Sequence, residues 1–243
     1  MLRVKSLSKR FGGFLAVNQV SFAVTPGEIL GLIGPNGSGK STTFNLIAGA
    51  LKPSGGSIEF QGAEIAGWPA HRVCRAGIGR TFQIPRPFRK LPLLGNVALA
   101  AYYGAGGSIS RVEAQRRAVE ALEIVGLPRD ERASTAGLGA AQLKKLELAR
   151  ALATRPKLLL ADESLGGLDL AEMERAAAML KDIRDRLGIT IIWVEHIMGV
   201  LMRVVDRVIV LDHGEMIFEG RPEDAVRDAR VVEVYLGHKH RAA

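Results

Sequence analysis

The amino-acid sequence predicts an α/β protein with a largely parallel sheet and an inserted, mainly helical segment. Three observations carry this expectation. Apolar β-type runs alternate with helical patterns early and late in the chain, a glycine-rich stretch joins a buried run to a helix, and the middle repeats its apolar residues at helical spacing. In chain order, Leu2–Leu7, Val20–Val24, Glu28–Ile33 and Ser57–Phe60 read as strands separated by Gly and Pro. A helix over Lys40–Ala48 interrupts them, directly after Gly34-Pro35-Asn36-Gly37-Ser38-Gly39. From Arg111 to Val125, the residues Val112, Ala118, Val119, Leu122 and Val125 recur on one helical face, with Glu and Arg opposite. A second helix, Ala140–Ala153, follows a Gly-rich hinge. The last third then alternates strand Leu158–Ala161, helix Ala171–Arg186, strand Thr190–Val194, and strands Arg207–Leu211 and Met216–Phe218. The tail His238-Lys239-His240-Arg241 is assigned no role, as terminal residues usually fray.

A chain of 243 residues is long enough to bury a core without disulfides or structural metals. At 47% hydrophobic and 24% charged residues, it falls outside the disordered and low-complexity classes. No run approaches the length of a membrane span and no signal-type segment opens the chain, so a soluble intracellular protein is expected. Cys74, alone, is read as a small residue on a helix rather than a disulfide or metal partner. The net charge of +8 favours an anionic partner. Its excess is concentrated between Glu64 and Glu113, where no acid occurs and Arg72, Arg75, Arg80, Arg86, Arg89, Lys90 and Arg111 fall. That segment suits either a solvated surface or a face near anionic headgroups. Nucleic acid is disfavoured, since the bases lack the interleaved aromatics of a stacking platform.

Gly34-Pro35-Asn36-Gly37-Ser38-Gly39-Lys40-Ser41 matches the phosphate-binding loop pattern, in its required place between a buried strand and a helix. Glycines let the backbone curl so that N–H groups point at phosphates, and the helix N-terminus adds partial positive charge. Lys40 is expected to neutralise the β- and γ-phosphates, and Ser41 to place a hydroxyl on Mg²⁺. Leu158-Leu159-Leu160-Ala161-Asp162-Glu163 is an apolar strand ending in two carboxylates at the edge where the phosphate loop opens. Asp162 would hold the metal through water, and Glu163 would orient the attacking water. Alone such a strand is commonplace; beside the phosphate loop it becomes specific. The strand Thr190–Val194 delivers His196 to the same edge, as a hydrogen-bond donor for a γ-phosphate. Gln83 is read as ending another short strand, Gly79-Arg80-Thr81-Phe82-Gln83, with an amide for metal or water.

With these residues in place, the sequence resembles the nucleotide-binding subunits of ABC transporters over essentially the whole chain. Phe11 falls where that family stacks an aromatic on adenine, and Gly34 to Thr42 is similar to its Walker A loop. Gln83 resembles its Q-loop glutamine, Asp162 and Glu163 its Walker B aspartate and catalytic glutamate, Asp169 its D-loop aspartate and His196 its switch histidine. Arg10-Phe11-Gly12-Gly13-Phe14-Leu15-Ala16-Val17, Gly79-Arg80-Thr81-Phe82-Gln83 and Val234-Tyr235-Leu236-Gly237 are most similar to the branched-chain amino acid importers. One departure stands at the signature loop, usually Leu-Ser-Gly-Gly-Gln, which here reads Leu138-Gly139-Ala140-Ala141-Gln142. Another is Ser164, where the family often has proline.

The resemblance implies a P-loop NTPase (RecA-like) core with an antiparallel β subdomain and an inserted α-helical subdomain. Residues 1–84 and 155–243 would form the core with its β subdomain, and 85–154 the helical subdomain. ATP and Mg²⁺ are the implied cofactors. The implied partners are membrane permease subunits, a second ATPase subunit in a heterodimer or homodimer, and a substrate-binding protein, with no nucleic acid. Gly139, Ala140, Ala141, Gln142 and Asp169 would reach the partner's nucleotide, and residues Gln83 to Lys90 would meet the permease. The implied location is peripheral, on the cytoplasmic face of the membrane. Two alternatives stay open: a soluble ABC ATPase acting on nucleic acid or ribosomes, and the ATPase subunit of a lipid or lipopolysaccharide exporter. On this reading, Glu163→Gln is expected to keep ATP binding, lose most hydrolysis and trap a dimer. ATPase turnover of the purified transporter checks it, and a rate near wild type would refute it.

Overall fold

The computed structural model describes residues 1–162, 166–195 and 198–236. The first stretch holds β1 (Leu2–Phe11), β2 (Phe14–Val24), β3 (Ile29–Ile33), α1 (Lys40–Ile47), β4 (Gly55–Phe60) and β5 (Ala63–Glu64). The middle holds α2 (Ala70–Ala76), β6 (Ile78–Arg80), α3 (Leu93–Gly104), α4 (Arg111–Ile124), α5 (Ala140–Ala153), β7 (Leu158–Asp162) and α6 (Leu170–Leu187). The last holds β8 (Thr190–Val194), α7 (Met198–Leu201), β9 (Arg207–Asp212), β10 (Glu215–Gly220), α8 (Pro222–Ala225) and α9 (Ala229–Leu236). No helix among the described residues is long and apolar enough to cross a membrane.

The chain divides into two compact units: Met1–Ala70 together with the chain from Thr190 onward, and His71–Ile189. In the first, β1 pairs antiparallel with both β2 and β4 in a four-stranded sheet of order β2-β1-β4-β5. Beside it, β3 runs parallel to β8 and β9, and β9 turns back antiparallel into β10. Every residue of β3 and β8 is buried, the continuous apolar pattern of strands covered on both faces. Arg207 joins the elements around β3: its Nε donates to Glu28 Oε1 at 2.8 Å and its Nη2 to the carbonyl of Ala23 at 2.5 Å. The Asp206 carboxylate accepts the Ile29 N–H at 2.8 Å.

In the second unit β6 and β7 are parallel, with Arg80 opposite Leu160, and α3, α4 and α5 pack on one another. Asn96 on α3 is fully buried. Its Oδ1 accepts the Phe88 N–H at 2.7 Å, and its Nδ2 donates to the carbonyls of Phe88, Leu91 and Pro92, each at 3.1 Å. One side chain thus satisfies four backbone groups of the loop entering α3.

Several elements differ from the sequence expectation. Strands β1 and β2 run to Phe11 and from Phe14, well beyond Leu2–Leu7 and Val20–Val24. Register shifts near Ser6 and Gln19, both at positive φ, break the alternation that would have revealed their length. Helix α3 is apolar almost all round and carries no amphipathic stripe to announce it. Gln83 does not end a strand: β6 stops at Arg80, and Gln83 lies exposed in the loop beyond. The Asn96 network predicts that Asn96→Ala costs about 2–4 kcal/mol, since it strands several buried polar groups at once. Chemical denaturation checks this, and a loss below about 1 kcal/mol would refute it.

Candidate functional site

The first unit builds the phosphate loop. Strand β3 ends at Ile33, and the chain curls from Gly34 through Gly39 into α1. Gly34, Gly37 and Gly39 all have positive φ, at 148°, 82° and 103°. A Cβ on Gly34 would lie 2.1 Å from the Leu211 carbonyl oxygen, and one on Gly39 would lie 2.7 Å from that of Ala16. No residue with a side chain fits either place. Gly39 is the N-cap of α1 and offers no side-chain cap, and the first turn of the helix holds no acid. The N-terminal N–H groups and their partial positive charge therefore face an incoming anion uncompensated. Lys40 is buried, and its Nζ donates to the carbonyls of Gly34 and Pro35 at 2.8 Å each. Ser41 is exposed, Thr42 half-buried, and Asn36 exposed at the crest.

The loop is braced from the C-terminal side of its own unit. Gly214, in the β9–β10 turn, donates its N–H to the Ser38 carbonyl at 3.1 Å and accepts the Asn18 N–H at 2.8 Å. Burial pushes the Tyr235 phenol on α9 up to about 12, with the nearby Gly34 backbone amide lowering it in part. A cavity of 620 Å³ lies against the loop, lined by Asn36, Ser38, His213, Arg230 and Glu233. Phe11, 46% exposed at the end of β1, has the Lys9 ammonium 5.0 Å from its ring centroid.

In the second unit Asp162 ends β7 and is 5% exposed. Its Oδ2 accepts from Arg80 Nη2 at 2.7 Å, and its N–H donates to Thr81 Oγ1 at 3.1 Å. The Arg80 guanidinium also stands 5.1 Å from the Phe82 ring centroid. Arg80 is the residue that sequence reasoning missed: counted there only as surface charge, it sits opposite Leu160, two residues before Asp162. That pairing follows from the parallel register of two short strands distant in sequence. Beyond it Phe82, Ile84 and Phe88 are exposed, and Arg150 on α5 stacks over Phe88 at 5.2 Å while donating to the Arg86 carbonyl at 3.0 Å. Glu147 pairs with Arg150 at 2.9 Å; burial raises its carboxyl above the ordinary range, partly offset by that arginine.

The altered signature loop opens α5. Gly139 is the N-cap and donates its N–H to Gln142 Oε1 at 3.1 Å; Ala140 and Gln142 are exposed and Ala141 is half-buried. A cavity of 290 Å³ runs from Ala141 and Phe82 to Glu147, Leu168 and Met179. Asp169 caps α6: its Oδ1 accepts the Glu172 N–H at 2.8 Å, and Glu172 Oε2 accepts the Asp169 N–H at 3.1 Å. The structure thus groups Gly34 to Thr42 in one unit, and Asp162 with the loop leading to Gln83 in the other. Glu163, Ser164 and His196 lie outside the described residues.

Among the described residues no three His, Cys, Asp or Glu side chains gather into a metal cage. The donors assigned to Mg²⁺, the Ser41 hydroxyl, Gln83 amide and Asp162 carboxylate, are all hard oxygens, fitting an ion shared with substrate phosphates. The model of the family described as ABC transporter matches residues 17–166, and that of the branched-chain amino acid ATP-binding cassette transporter matches residues 215–241. The high-affinity branched-chain amino acid transport ATP-binding protein BraF of Pseudomonas aeruginosa is 34% identical over 98% of each chain. LivG of Escherichia coli, of the same description, is also 34% identical over 98% of each chain. Among solved structures, the ADP conformation of the ATP-binding cassette MJ1267 aligns with TM-score 0.86 and 30% identity, covering 98% of this chain and 99% of that one. The dimeric cassette MJ0796 aligns with TM-score 0.81 and 30% identity over 91% of this chain and 99% of its own. Phosphate loop, paired Asp162 and whole-length likeness converge: the chain belongs to the ABC transporter family, as one of its ATP-hydrolysing ATP-binding cassettes.

Proposed function

We propose that this chain is the ATPase subunit of a branched-chain amino acid importer, held on the cytoplasmic face of the membrane by separate permease subunits. The observation that carries the ATPase reading is the glycine-lined turn from Gly34 to Gly39, which ends on an acid-free helix start with Lys40 folded across its carbonyls. BraF and LivG, matched nearly end to end, supply the substrate class. A second ATPase subunit completes each site, and a substrate-binding protein delivers the amino acid.

On this reading Phe11 stacks on adenine and Gly34 to Thr42 hold the phosphates. Lys40 exchanges its two carbonyl partners for phosphate oxygens, so little side-chain freedom is lost on binding. Ser41, Gln83 and Asp162 hold the Mg²⁺, which when bound neutralises charge on the transferring phosphoryl group. Glu163 orients the attacking water, and His196 donates to the γ-phosphate. Gly139, Ala140, Ala141, Gln142 and Asp169 reach the nucleotide of the partner subunit. The exposed Phe82, Ile84 and Phe88, flanked by Arg86, Arg89 and Lys90, form the permease-facing surface.

Uptake of leucine, isoleucine or valine by proteoliposomes holding the assembled transporter tests the substrate. A transporter that hydrolyses ATP but takes up none of the three overturns it. The signature loop generates a second expectation. Lacking the serine donor and the two glycines, it should close the partner's site less well, by about 1–3 kcal/mol for one lost charge-assisted hydrogen bond. In a heterodimer, Glu163→Gln should therefore reduce the ATPase rate more than the matching change in the partner subunit, and equal losses refute the asymmetry. In a homodimer both sites carry the altered loop, and Ala141→Gly should raise turnover.

A further inference from the structure

The two oxygens of Asp162 are used unequally. Oδ2 accepts the Arg80 guanidinium at 2.7 Å, with the two side chains only 11% and 7% exposed. Oδ1 accepts no hydrogen bond from any described residue. Both members of this pair are themselves held in place. Its own N–H is tied to Thr81 Oγ1 at 3.1 Å, and Thr81 is in turn tied through its N–H to the Leu160 carbonyl at 3.0 Å. Arg80 is set by the β6–β7 register, opposite Leu160. The Phe82 ring, 5.1 Å from the guanidinium, restricts its plane.

A carboxylate at a strand end rotates readily about its last side-chain bond, because that torsion has a broad, roughly two-fold preference. A ligand to a hard cation gains when this rotation is already suppressed, and groups that orient metal ligands are worth much of a site's affinity. Arginine suits the task, since its rigid fork holds a carboxylate oxygen in a fixed direction where a lysine offers only a point charge.

We propose that Arg80 is a positioning residue for the divalent cation: by pinning Oδ2, it aims Oδ1 of Asp162 at the ion or at its bound water. The proposal rests on the reading of Asp162 as a metal ligand. It acts entirely through that carboxylate and requires no contact between Arg80 and nucleotide. It also gives a physical reason for an arginine three residues before Gln83, inside an apolar strand end where a buried cation is otherwise costly.

The test uses the full chain with a slowly hydrolysed ATP analogue and Mn²⁺, whose binding is read directly by electron paramagnetic resonance. Binding of a fluorescent ATP analogue in EDTA and the thermal midpoint serve as metal-free readouts. Arg80→Met is expected to weaken Mn²⁺ binding about tenfold or more, the loss usual for groups that orient metal ligands, with metal-free nucleotide binding within about twofold of wild type. Arg80→Lys should recover part of that loss. Should Arg80→Met fail to fold, Arg80→Gln, which keeps a hydrogen-bond donor on a neutral stem, carries the same expectation. Unchanged or tighter Mn²⁺ binding overturns the proposal, as does a parallel loss of metal-free nucleotide binding. Asp162→Asn separates the two readings: if it leaves Mn²⁺ binding intact, the assignment of Asp162 fails. If it abolishes binding while the Arg80 variants do not, only the positioning role fails.

Discussion

The phosphate loop passes where no side chain fits, and the surrounding unit is organised around that steric constraint. Gly34 runs against the Leu211 carbonyl, Gly39 against that of Ala16, and a Cβ on Gly214 would itself come 2.9 Å from Ala16. Three stretches of backbone, from the start of β2, the loop and the β9–β10 turn, thus touch without intervening side chains. Their main-chain hydrogen bonds, Gly214 to Ser38 and Asn18 to Gly214, are possible only at that approach. The last third of the chain accordingly contributes to a loop formed in the first.

Charge follows a similar economy. Both units place a buried carboxylate against an arginine near a strand end, Glu28 with Arg207 and Asp162 with Arg80. Breaking either pair would leave a desolvated charge, which is far more costly than the pair is stabilising. The acid-free segment between Glu64 and Glu113 consequently has two parts. Arg80 lies in the interior, whereas Arg72, Arg75, Arg86, Arg89, Lys90 and Arg111 remain exposed.

The parts of the protein governed by strict local rules were legible in the sequence. The glycine spacing, the apolar run of β3 and the onset of α1 require one another, so the phosphate loop was readable at residue resolution. Strand β7 with Asp162 was readable for the same reason, a buried run ending in charge. The bulged β1–β2 hairpin and the uniformly apolar α3 were not, because neither keeps a clean period. Gln83 does not end a strand as expected, since β6 stops at Arg80 and the Asp162 N–H goes to the Thr81 hydroxyl rather than to a further ladder bond. The Arg80 contact depends on register between two strands distant in sequence, which composition and motif do not encode.

The Asn96 network has a mechanical consequence. A loop bearing exposed Phe82, Ile84 and Phe88 would ordinarily be compliant, and a push upon it would dissipate as local rearrangement. Here the segment ending at Pro92 is riveted to the first turn of α3 by four hydrogen bonds from a single buried amide, and Arg150 fastens the Arg86 carbonyl to α5. That surface is therefore tied to two helices rather than to one, and the second of them, α5, begins at the altered signature loop, so the Arg86 carbonyl and that loop stand towards opposite ends of a single helix.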